Sequence, residues 1–74
     1  MSHLPGIRAR DLIKILEKLD FEAVRQKGSH LFFKHNDGRT TIVPMHSGEE
    51  ISRGLLRQIL REIDLTPEEF LDLI

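Results

Sequence analysis

The tetrapeptide Asn36-Asp37-Gly38-Arg39 commits the middle of this chain to a reversal. Glycine supplies the positive φ that a tight hairpin turn requires, and Asn and Asp favour the same geometry. The flanks agree. His30-Leu31-Phe32-Phe33-Lys34-His35 is a short aromatic-rich run, and Thr40-Thr41-Ile42-Val43 is β-branched throughout, with Pro44 closing it. A second turn pair, Gly28-Ser29, precedes the first run, and residues 22–27 carry no helical stripe. Two turns between three short runs predict a three-stranded antiparallel meander.

Helical patterning lies on either side. Leu12, Ile13, Leu16 and Leu19 fall on one face, with Ile15 widening it, which predicts a helix over 9–19. Phe21 follows as a core anchor. Met1 to Ile7, with a Pro5-Gly6 pair, reads as a lead-in. After a loop over 45–50, Ser52 is an N-cap and Ile51 is placed to staple onto Leu56. Leu55, Leu56, Ile59, Leu60 and Ile63 then predict a helix over 53–63. Thr66-Pro67-Glu68-Glu69 is a capping box with Pro at the first helical position, so a last helix covers 67–73. The expected architecture is one α+β domain over 1–74, α-β-β-β-α plus a short C-terminal helix over 66–74. Two amphipathic helices cover one face of the antiparallel sheet and leave the other open.

Composition narrows the function classes. Across 74 residues the formal net charge is −1. That excludes a globally basic nucleic-acid binder but not a local basic patch. No cysteine is present, so disulfides, thiolate metal sites and thiol nucleophiles are excluded, and the cytoplasm is the expected compartment. No apolar run approaches the roughly 20 residues of a membrane helix. Charge is also segregated. Residues 1–48 hold Arg8, Arg10, Lys14, Lys18, Arg25, Lys27, Lys34 and Arg39 against five acids, about +3. Residues 49–74 are about −4. The predicted open sheet is thus the basic part of a near-neutral chain; on charge alone it reads first as an ordinary solvated strand face, and it also suits a few phosphate contacts. Arg53, Arg57 and Arg61, spaced every four residues, read instead as a solvated helix face paired with nearby acids. Phe70 and Leu73 read as core or lid.

The stretch Arg25-Gln26-Lys27-Gly28-Ser29-His30 carries the chemistry. It sets a histidine at the first residue of a strand, beside a turn whose glycine permits close approach of a ligand backbone. Imidazole is the side chain suited to proton transfer near neutrality. Such a group would take the proton from a ribose 2′-hydroxyl, while Lys27 and backbone N–H groups stabilise charge on phosphorus. On spacing alone, the same stretch reads first as a hairpin turn with a surface histidine. Strand alternation puts His30, Phe32 and Lys34 on one face and Leu31, Phe33 and His35 on the other. Phe32 would then lie exposed beside His30, either stacking on a base or covered by a partner or by the C-terminal helix. His46, in the loop after the last strand, would bind phosphate or donate a proton, or be a loop histidine. His30, His35 and His46 make a poor zinc triad: they lack close paired spacing, and cysteine is absent. No cofactor or metal is expected.

Read together, these segments resemble the HicA toxin family. The resemblance runs over about residues 8–72 and rests on Arg25-Gln26-Lys27-Gly28-Ser29-His30, Asp37-Gly38-Arg39, Val43-Pro44-Met45-His46-Ser47-Gly48 and Leu55-Leu56-Arg57-Gln58-Ile59-Leu60. It implies a fold like a double-stranded-RNA-binding domain and metal-independent cleavage of mRNA. It also implies a catalytic histidine at position 30 and neutralisation by a HicB-type antitoxin. Arg25, Lys27, Gly28, Ser29, Phe32, Lys34 and His46 are the expected RNA-binding residues. The alternatives are a non-catalytic RNA-binding module and a protein-interaction subunit of the same fold.

Overall fold

A computed structural model describes residues 4–45 and 50–74. The elements follow the order β1 (Ile7–Arg8), α1 (Ala9–Lys18), β2 (Glu22–Lys27), β3 (His30–Lys34), β4 (Thr40–Pro44), β5 (Glu50–Ile51), α2 (Arg53–Glu62) and α3 (Pro67–Leu71). β2, β3 and β4 form the expected antiparallel meander, in that order across the sheet. The α-β-β-β-α core plus a short terminal helix is consistent with a double-stranded-RNA-binding-domain-like fold.

Both long helices end where the chain is forced to turn left-handed. After α1, Asp20 sits at φ 68° and the Phe21 N–H bonds the Leu16 carbonyl, while the Asp20 N–H bonds that of Glu17. After α2, Asp64 sits at φ 60°, with Leu65 N–H on Leu60 and Asp64 N–H on Arg61. Both are Schellman closures with Asp where glycine is favoured, each followed by an apolar residue that turns back to the body. Phe21, the residue after the first closure, is buried at 2% exposure. At the helix starts, the Ser52 hydroxyl accepts from the Leu55 N–H, and Thr66 and Glu69 form the reciprocal capping box. α3 stops at Leu71, short of the expected 73, and its Phe70 is fully buried.

The core lies under β3 and β4. Phe33 and Val43 face inward with Leu12, Leu16, Leu56, Ile59, Leu60 and Ile63. Thr41 is the buried polar residue of this face, and its hydroxyl donates to Glu62 Oε1 at 2.7 Å, fixing the end of α2 to the sheet. Two features were not foreseen. Leu4 and Ile7, read from sequence as a lead-in, are core residues. They are held there by a second, two-stranded sheet in which Ile7 pairs with Ile51 and Arg8 with Glu50. Two-residue strands carry no alternation, so sequence pattern does not reveal them. The other is the exposure of β2. All six of its residues are exposed, and the meander projects beyond its helical cover on that side.

Candidate functional site

The cross-strand register fixes the open face as three rows. Lys27, His30 and Pro44 form the first. Arg25, Phe32 and Ile42 form the second, and Glu22, Lys34 and Thr40 the third. A bulge at Val24 keeps Arg25 in step with Phe32, because Ala23 pairs with Phe33 and Arg25 with Phe32. Without that extra residue, Arg25 would point to the other side of the sheet.

The first row is the chemically loaded one. Lys27 and His30 are partners across the two-residue turn Gly28-Ser29, and both are exposed. Gly28 adopts φ 58° while Ser29 keeps a negative φ, the pattern of a type II′ hairpin turn. A Cβ at Gly28 would meet nothing within 4 Å. The glycine is therefore needed for its backbone angle, and the turn stands open to a ligand. Two bonds set it: Gln26 Nε2 donates to the Gly28 carbonyl at 3.2 Å, and the Met45 N–H donates to the Ser29 carbonyl. The second ties the turn to the chain leaving β4.

In the second row, the Arg25 guanidinium lies over the Phe32 ring at 4.8 Å from its centroid. Within the chain, the ring is covered by a cation from the neighbouring strand. Ile42, beside it, is 40% exposed. The sequence reading missed Ile42, although counting across the Asp37-Gly38 turn pairs it with Phe32. In the third row Lys34 has Glu22 across from it, so positive charge concentrates toward Lys27 and Arg25. Of the expected site residues, the structure thus brings Arg25, Lys27, Gly28, Ser29, His30 and Phe32 together at one end of the face and sets Lys34 one row farther. His46 lies outside the described residues.

His35 is a different kind of histidine. It packs edge-on against the buried Phe21, ring centroids 5.1 Å apart. Its Nδ1 accepts the Asp37 N–H at 3.1 Å. Arg39 lies over Phe21 at 5.1 Å, donates Nε to both Asp37 oxygens at 3.0 and 2.8 Å, and donates Nη1 to the Ile63 carbonyl at the end of α2. The guanidinium beside Asp37 holds that carboxyl below its ordinary value of 3.8. This cluster locks the β3–β4 turn to α2, and its side chains are engaged with one another. Arg53, Arg57 and Arg61 face solvent.

Among the described residues, no three His, Asp or Glu side chains gather as a metal-ligand set, and no helix is long and apolar enough to cross a membrane. A search of curated proteins returned no match. A family model described as the HicA toxin of bacterial toxin-antitoxin systems matches residues 9–65, from the first residue of α1 through the turn that follows α2. That span contains the whole meander and the Gly28-Ser29-His30 turn, and the chain belongs to the HicA toxin family.

Proposed function

We propose that this chain is a toxin that cleaves RNA with His30 as its acid–base group. The observation that carries the reading is the exposed His30 paired across an open glycine turn with Lys27, in a chain of this family. RNA binds along the basic end of the sheet. His30 takes the proton from a ribose 2′-hydroxyl, and that oxygen attacks the adjacent phosphorus. Lys27 and the N–H groups of the Gly28-Ser29 turn stabilise the negative charge that builds on the phosphoryl oxygens. The bond from phosphorus to the 5′-oxygen breaks and that oxygen takes up a proton. The products are a 2′,3′-cyclic phosphate and a free 5′-hydroxyl. Lys34 contacts a flanking phosphate, and Arg25 and Phe32 contact the RNA beside it. His46 is the second histidine to substitute as a proton donor. The chemistry requires no metal.

The partner of the toxin is a HicB-type antitoxin that presents acidic groups to the same face, complementary to Lys27 and Arg25. The test is a substrate with a single 2′-deoxynucleotide at the cleaved position. Cleavage there should stop while neighbouring sites are still cut. Continued cleavage at the deoxy position overturns the mechanism.

A further inference from the structure

Phosphate contacts account for the first row of the open face but not for the second. Its centre is apolar: Phe32 and Ile42 are direct cross-strand partners, and Ile42 is 40% exposed. Polar residues normally occupy the solvent face of an antiparallel sheet. Here an aromatic ring and a β-branched side chain sit side by side, with cations or His30 in the adjoining rows. Cβ atoms of such partners lie about 5 Å apart, so the two make one continuous strip. A strip two side chains wide is comparable to one flat heteroaromatic ring. The surrounding charge selects a polyanion as the carrier of that ring.

From this geometry we infer that Phe32 and Ile42 form a platform on which one unpaired base of the RNA stacks, with the Arg25 guanidinium closing over the base's other side. The inference rests on the reading of His30 as the cleaving group and names the form of its substrate. Phe32 is two residues from His30 on the same face, about 7 Å along the strand. A nucleotide whose phosphate lies at Lys27 and His30 therefore has its base within reach of the ring. In the free protein Arg25 occupies the ring face itself, at 4.8 Å. A guanidinium stacks equally well on a base, so Arg25 needs only to lift and settle again on the inserted ring. In a duplex, both faces of each base are already stacked against neighbours, and a sheet cannot reach between them. The site therefore selects single-stranded RNA.

The test uses the full chain carrying His30→Ala, so that RNA stays intact, and an oligoribonucleotide with one 2-aminopurine. The protein has no Trp and no Tyr, which leaves the 2-aminopurine emission free of protein signal. Binding should quench that emission at one register of the probe, and the same RNA annealed to its complement should bind far more weakly. Adding Phe32→Leu should abolish the quench and weaken binding about 5- to 150-fold, the range for losing one base–aromatic stack. Phe32→Tyr should restore both. Ile42→Ala, at an exposed position, supplies a second variant that keeps the core intact and should also reduce the quench. Unchanged binding and quenching in Phe32→Leu, with wild-type protein still cleaving RNA, overturns the platform and leaves the His30 reading standing. Loss of antitoxin binding by Phe32→Leu with RNA binding unchanged assigns the strip to a protein partner and also overturns it. Absence of both RNA binding and cleavage in every form removes the His30 reading and the platform together.

Discussion

Replacing Arg39 by Met should cost about 2 kcal/mol of stability. The substitution keeps most of the aliphatic stem and removes the charge and donors. One guanidinium bond goes to the Ile63 carbonyl at the end of α2, and the same group covers Phe21 at 5.1 Å. A charge-assisted bond at a group one-third exposed contributes about 1 kcal/mol, below the fully buried range. The cation–ring contact adds about 0.5–1 kcal/mol. The pairing with exposed Asp37 is left out of the sum because water screens it. For a domain of this size each kcal/mol moves Tm by about 4–8 °C, so Tm should fall by about 10 °C in calorimetry or thermal circular dichroism. Asp37→Ala should lower it far less. A Tm within about 2 °C of wild type for Arg39→Met, or a larger loss for Asp37→Ala, would refute the claim that Arg39 acts by joining the hairpin turn to α2.

Other perturbations follow from the same contacts. Asp64→Gly should stabilise the chain by about 0.5–1 kcal/mol in urea unfolding, because the left-handed residue that closes α2 would lose its Cβ penalty. Leu4→Ala should destabilise by about 2–4 kcal/mol, as for a fully buried core leucine, where a true lead-in would show no change. Because Arg39 lowers the Asp37 carboxyl, the ionised form stabilises the fold above pH about 4, and that contribution fades as the pH falls through the lower folded value. The stability gap between wild type and Asp37→Asn should therefore narrow in acid, read from urea midpoints at several pH values. Lys27→Ala should reduce the slope of log K for single-stranded RNA against log salt by about 0.7, the signature of one lost phosphate contact.

The helices and the meander were legible because each is declared by a local rule. Ser52 and Thr66 mark helix starts through their hydroxyls, Gly38 and Gly28 mark turns through positive φ, and the apolar stripe of α2 has the period of its own geometry. What escaped the sequence reading depends on contacts between distant segments. Leu4 and Ile7 look like part of a loose terminus until Ile51, far along the chain, pairs with Ile7. Nothing in the run from Glu22 to Lys27 shows that it lies outside the helical cover, because that depends on where α1 and α2 dock. The site was legible in part. Alternation put His30 and Phe32 on one face, as observed, while Arg25 reaches that face through the bulge at Val24. A bulge shifts register without a distinctive residue, so the Arg25–Phe32 contact had no sequence signal. Ile42 had one, the register of the hairpin turn, and it was overlooked.

Whether His30 cleaves RNA is read from the ends left on RNA treated with purified protein in EDTA. Wild type should leave 2′,3′-cyclic phosphate and 5′-hydroxyl ends, and a folded His30→Ala variant should leave the RNA intact. Equal cleavage by His30→Ala would contradict a cleaving role for His30.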